Sequence, residues 1–253
     1  MNDENLINKA YIHVQFDDID EFKKLVPSQV DPNASNFSSQ NHLHTFLQCA
    51  AAYGAEKCTQ YLLNLENEEY YQEEFNNLNN EQNLEDPKDT TENVTENGNK
   101  LTSIKLHVDA RKKNFAGFTA LHWAAYSGRP ETVKLLVDKG GADINSRNED
   151  GLTPIHIAAS RGHLQFIKYL VDNYQVRSAD NPDFLLNVDL GAVTSDGWTA
   201  VHYALIGNHQ PVVKYLVDEM KVECSELDVN MKSIHDVAKE YGRTWFHLPN
   251  EDQ

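Results

Sequence analysis

Three stretches of the chain repeat one order of apolar and polar positions. The first begins at Thr119 and continues Ala120, Leu121, His122, Trp123, Ala124, Ala125, ending at Gly128. The second runs Thr153, Pro154, Ile155, His156, Ile157, Ala158, Ala159 and ends at Gly162, with His163 after it. The third runs Thr199, Ala200, Val201, His202, Tyr203, Ala204, with Asn208 in the place of the glycine and His209 after it. Apolar residues at intervals of three and four predict a short helix with one buried face. The threonine hydroxyl suits its N-cap, and Pro154 suits a first turn whose N–H has no partner. Glycine, or asparagine as its best substitute, suits the left-handed residue that ends the helix. The paired alanines leave one face small, so neighbouring helices can approach closely. A second apolar set follows each stretch: Val133, Leu135 and Leu136, then Ile167, Tyr169 and Leu170, then Leu216 and Val217. Each predicts a second helix.

The copies are unequally spaced. Gly117 to Gly151 is 34 residues and Gly151 to Gly197 is 46, so the second interval holds about a dozen extra residues between Gln175 and Asp189. Asp180, Asn181 and Pro182 make that excess a loop. The unit resembles the ankyrin repeat, a turn and two helices with a period of about 33 residues. That resemblance implies an all-α solenoid of helix–turn–helix repeats joined by β-hairpin loops. It extends to degenerate copies. Thr45 to Gly54 keeps the register with Gln48 in place of the histidine, and Ser233 to Gly242 keeps it with Asp236 there. Near the start, Leu6, Ile7, Ala10 and Tyr11 form one face and Phe22, Leu25 and Val26 another, as a terminal unit with one neighbour requires.

The expected organisation has five to six units with degenerate caps. An N-terminal capping repeat covers 1–33 and a second unit 34–66. Regular units follow at 108–146, 147–192 (with its inserted loop) and 193–229, then a C-terminal capping repeat and tail at 230–253, where Trp245 and Phe246 cover the end of the stack. Residues 67–107 interrupt the repeat. From Asn64 to Lys100 there are eleven acidic residues against two lysines, and ten asparagines. A segment so polar cannot bury enough surface to offset its ordering entropy, so it reads as a disordered acidic insertion.

The formal charge of −17 argues against direct contact with nucleic acid. No apolar run approaches the ~20 residues of a membrane span, and the acidic N-terminus lacks a signal-like apolar stretch. A cytoplasmic or nuclear monomer is the expectation. Cys49, Cys58 and Cys224 show no paired spacing and read as small core residues. His122, His156 and His202 share one repeat position and lie about a unit apart, too far to share a metal ion. The resemblance implies that they bond the backbone between neighbouring repeats. His42 and His44 lack further ligand spacing. No phosphate-cradling loop, His-Glu-x-x-His or nucleophile elbow is present. No catalytic residue, metal or cofactor is therefore expected, and the chain reads as non-catalytic.

The resemblance places hairpin tips and the outer side of each first helix on one concave face. Phe115, Phe118, Trp123 and Tyr126 fall there in one unit, Glu149, Asp150 and Arg161 in the next, and Asp196, Trp198 and Tyr203 in the third. Aromatic residues with an arginine are the usual anchors of interfaces. Packing between repeats is the competing role for Trp123 and Tyr203. The function expected is a scaffold or adaptor that binds a protein partner on this face. The alternative is a stoichiometric regulator, an inhibitor of a kinase or transcription factor, or an assembly chaperone.

Overall fold

The computed structural model describes residues 4–26, 30, 32, 45–65, 70–73, 92–94, 100–104, 108–174, 187–224 and 227–246. Its helices come in pairs: α1 (Glu4–Gln15) with α2 (Ile19–Leu25), α3 (Phe46–Tyr53) with α4 (Glu56–Asn64), and α5 (Ala120–Ser127) with α6 (Pro130–Lys134). α7 (Pro154–Arg161) pairs with α8 (Leu164–Tyr174), α9 (Ala200–Ile206) with α10 (Gln210–Lys214), and α11 (Ile234–Glu240) closes the series. α6 and α10 run on into single π-helical turns, Leu135–Lys139 and Tyr215–Glu219.

The first helices stack in chain order, α1 on α3, α3 on α5, α5 on α7, α7 on α9 and α9 on α11. Behind them α2 packs on α4, α4 on α6 and α6 on α8. Every interface shares one continuous core. Ala50, Ala51, Ala124, Ala125, Ala158, Ala159 and Ala204 are wholly buried where first helices meet, since a larger side chain would hold the layers apart. The fold is thus the all-α solenoid that the repeated pattern implies. Beyond it, Ile7, Ala10, Tyr11 and Val14 bury one face of α1 against α3. Phe246 is buried and Trp245 half-buried at the far end, where the Trp245 indole N–H donates to Asn208 Oδ1 at 3.2 Å.

The helix-ending residues adopt the conformation their place requires. Gly128 and Gly162 have φ of 64° and 74°, and Asn208, in the third copy, has φ of 60°. The two glycines meet a second constraint. A Cβ on Gly128 would lie 2.6 Å from His163 Nδ1, and one on Gly162 would lie 2.4 Å from His209 Nδ1. The histidine that opens each second helix therefore occupies the space above the preceding glycine. Its Nε2 meets a backbone carbonyl there, Tyr126 O for His163 and Ser160 O for His209, each at 3.0 Å.

The hairpin tips are laced to one another. The N–H of Glu149 donates to Ala116 O, that of Ser195 to Asp150 O and that of Val229 to Asp196 O, at 3.2, 3.0 and 3.1 Å. Each tip is shaped by one short polar side chain at a fixed place. Asn114 Oδ1 accepts from the N–H of Ala116 and of Phe118, Asn148 Oδ1 from Asp150 and Leu152, and Asp228 Oδ1 from Asn230 and Lys232. Thr194 does the same work with its hydroxyl, accepting from Trp198 N–H.

The interruption does not break the stack. α3 packs directly on α5, and Gln48 bridges the two units. Its Oε1 accepts from Thr45 N–H, while its Nε2 donates to the carbonyls of Lys112 and Phe118, at 2.8 and 3.2 Å. Within 67–107, where composition predicts no regular element, the structure describes three short strands. β1 (Tyr70–Glu73) and β2 (Glu92–Val94) each pair antiparallel with β3 (Lys100–Ile104). They fall on residues that favour strands, among them Tyr70, Tyr71, Val94, Thr102 and Ile104. The rest of that segment lies outside the described residues, as do His42, His44 and, of the loop predicted between Gln175 and Asp189, residues 175–186.

Candidate functional site

The buried histidines bind the stack together. The N–H and hydroxyl of Thr119 both point at His122 Nδ1, at 3.1 and 2.8 Å, and Thr153 treats His156 Nδ1 identically. A backbone N–H can only donate, so Nδ1 is the acceptor and Nε2 carries the proton. The Nε2–H of His122 donates to Leu152 O at 3.0 Å and that of His156 to Ala192 O at 2.9 Å, in each case the next hairpin. Burial drives both rings' pKa down to about 4, against the modest opposite pull of those carbonyls. Both nitrogens of a neutral, enclosed imidazole are thus committed, which removes these residues from acid–base chemistry. His202 shares the threonine contacts, but its Nε2 has no hydrogen-bond partner among the described residues.

Outside this core, aromatic side chains line the exposed side of the first helices. Phe118 and Trp123 rings lie 5.6 Å apart, and Trp123 and Tyr126 rings 5.7 Å apart, a run of three that packs partly on the core. Tyr126 is 43% exposed, and the Arg161 guanidinium of the next unit sits over its ring, 4.3 Å from the centroid. Phe115, at the tip before them, is 73% exposed. Trp198 is half-buried, stacks on His202 at 6.1 Å and donates its indole N–H to Asp228 Oδ2 at 3.0 Å. Tyr203, also half-buried, is wedged edge-on between Trp198 and His156, at 5.6 Å from each.

Residues 108–171 match the ankyrin repeats (many copies) family and residues 196–230 the ankyrin repeat family. Compared with curated proteins, the chain has no match. The chain carries ankyrin repeats. Ankyrin repeats serve protein–protein interaction and are in general non-catalytic modules. No helix among the described residues is long and apolar enough to cross a membrane, and no group of three or more histidine, cysteine, aspartate or glutamate residues there could hold a metal ion.

In this ankyrin stack the ten residues singled out from sequence divide by duty. Phe115, Tyr126, Glu149, Asp150, Arg161 and Asp196 are exposed. Phe118, Trp123, Trp198 and Tyr203 are half-buried, and Trp198 is tied to the following hairpin through Asp228. Two basic side chains of the hairpin before α5 are engaged with the next one: Arg111 Nε donates to Gly141 O and Lys113 Nζ to Arg147 O, both at 2.8 Å. Burial raises the Tyr203 pKa; its bond to Thr194 pulls the other way, and the Asp196 and Asp150 carboxylates add smaller upward pushes. Sequence reasoning found only Arg161 of one row. Phe16, Tyr53, Arg161 and Tyr241 each immediately precede the left-handed residue of their unit, and all are exposed, Phe16 by 74%. The signal available was position: each stands at the end of a first helix, one residue before the left-handed terminator.

Of the cysteines, Cys58 is buried, whereas Cys49 and Cys224 are half-buried and packed against the core. Burial raises the Cys49 and Cys224 thiols to about 12 and about 11. All three are free thiols, and these two are protonated at neutral pH.

Proposed function

We propose that this protein is a non-catalytic scaffold or adaptor whose protein partner lies along the exposed side of the first helices. The observation that carries the reading is the Phe115–Tyr126–Arg161 surface. Two large aromatic groups remain exposed there, one of them already stacked under a guanidinium, and neither is needed by the core. Such side chains lose little entropy on binding and bury a large area, which is why they dominate interface energetics. Phe118 and Trp123 support Tyr126 from behind. Glu149, Asp150 and Asp196 border the surface and set orientation and on-rate more than affinity.

The partner is captured with the full chain, purified, and titrated against Phe115→Ala, Tyr126→Ala and Arg161→Ala. Each variant touches exposed groups, so circular dichroism and melting temperature should stay as in the parent chain. Tyr126→Ala is expected to cost about 2 kcal/mol of binding, near a thirtyfold loss of affinity. Three folded variants that all bind at full affinity would move the interface elsewhere. The purified partner's own activity, measured with and without the chain, separates an adaptor from a stoichiometric inhibitor.

A further inference from the structure

The hairpin after α10 has the length of its counterparts but leaves a hole. Val222, Cys224 and Asp228 stand where one earlier hairpin has Ala142, Ile144 and Asn148 and the other has Val188, Leu190 and Thr194. Ile144 and Leu190 fill their places, at 3% and 9% exposure. Cysteine is two heavy atoms smaller, and Cys224 is left half-buried. Beside it a pocket of about 350 Å³ opens, lined by Leu190, Thr199, His202, Met220, Val222 and Cys224.

His202 lines that pocket and is 2% exposed. Thr199 N–H and hydroxyl hold its Nδ1, at 3.1 and 3.0 Å, so Nε2 bears the proton, and that N–H meets no acceptor among the described residues. The other units show what belongs there. The same N–H of His122 and His156 meets a main-chain carbonyl, and the amide of Gln48 meets two. A buried donor left without an acceptor costs its full desolvation.

We propose that this pocket binds a neutral amide carbonyl that carries a short aliphatic group, the chemistry of a peptide segment with a leucine-sized side chain. The carbonyl accepts from His202 Nε2, and the aliphatic group takes the volume that isoleucine and leucine occupy in the other hairpins. An anion suits the site less well. The Asp228 carboxylate lies close enough to act on His202, and burial holds the imidazole neutral. Lys221 and Glu223 at the rim are of opposite sign. The site is separate from the Tyr126–Arg161 surface and does not depend on the adaptor reading.

The probe is N-acetyl-leucine methylamide, titrated into the ¹⁵N-labelled full chain by NMR with acetate as the anionic control. Saturable shifts are expected at Thr199, His202 and Cys224, with acetate at least tenfold weaker. His202→Gln should bind within threefold of the parent chain, because its amide offers the N–H that Gln48 offers in the second unit. His202→Leu should bind about tenfold more weakly. Cys224→Ile should narrow the pocket beside His202, weaken binding at least tenfold and raise the melting temperature, so it tests the idea even where a histidine variant fails to fold. The proposal is overturned by a wild-type chain without saturable shifts, by shifts confined to Tyr126 and its neighbours, or by undiminished binding to Cys224→Ile.

Discussion

At the scale of single residues, the left-handed positions carry two duties that substitution can separate. Gly162 must hold φ of 74° and leave room for the His209 ring. Gly162→Ala adds a penalised backbone conformation of about 1–2 kcal/mol and displaces a ring that hydrogen-bonds Ser160 O. A total loss of about 2–3 kcal/mol is expected. Asn208→Gly keeps the conformation and should change stability by less than about 1 kcal/mol. Denaturant midpoints at constant m decide the order, and the reverse order would contradict the geometry. The buried histidines make a second prediction. Folded, His122 and His156 take a proton only near pH 4, whereas unfolded they do so near pH ~6.5. Between these values the unfolded chain binds more protons, so stability rises with pH. Their contribution is fully present above pH ~6.5 and is lost as pH falls to about 4, on the order of 3 kcal/mol for each ring. His122→Gln should flatten that dependence by up to ~1.4 kcal/mol per pH unit. Urea unfolding at pH 4.5, 5.5, 6.5 and 7.5 measures it, and an unchanged slope would mean that His122 is not the titrating group.

At the scale of elements, the interrupted copy behaves as a contiguous one. Gln48 reaches the carbonyls of Lys112 and Phe118 because α3 lies against α5, although 65 residues lie between Tyr53 and Thr119 in the chain. Replacing residues 66–106 by a short glycine-serine linker should therefore leave helical circular dichroism intact and stabilise by roughly 0–1 kcal/mol, since loop closure depends weakly on length. A fall of many degrees in melting temperature would show that the strand-bearing segment packs on the stack. The contrast marks what a sequence can show. The Thr, His and Gly places of the regular copies were legible because backbone geometry admits few residue types there. The π-helical turns ending α6 and α10 were not, since Leu135–Lys139 and Tyr215–Glu219 read as ordinary helix. Nor was the division of the aromatic residues. Tyr126 and Trp198 occupy similar-looking stretches, but only the partner Asp228, thirty residues on, ties Trp198 into the hairpin ladder.

At the scale of the whole molecule, stability in a stack is close to a sum of units and neighbouring interfaces, so its joints need not be equal. The joint between α5 and α7 holds His122 to Leu152 and His163 to Tyr126, and the joint between α7 and α9 repeats both bonds through His156 and His209. Among the described residues, the joint between α9 and α11 lacks the first of these, because His202 Nε2 meets no carbonyl there and Cys224 leaves a pocket beside it. It is held instead by Arg243, whose guanidinium donates to Leu205 O and Ile206 O at 2.7 and 2.6 Å, by the Trp198–Asp228 bond, and by Phe246 at the end of the core. Phe246→Ala should then cost about 3 kcal/mol locally, the usual effect of emptying a buried aromatic site. The loss should fall on the last unit alone. In native-state hydrogen exchange, amides of α11 and of residues 227–233 should exchange at least tenfold faster, while α5 and α7 keep their protection. Equal acceleration in all units would instead show that the stack opens as one cooperative block, and that the missing histidine bond is no weaker a joint than the two complete ones.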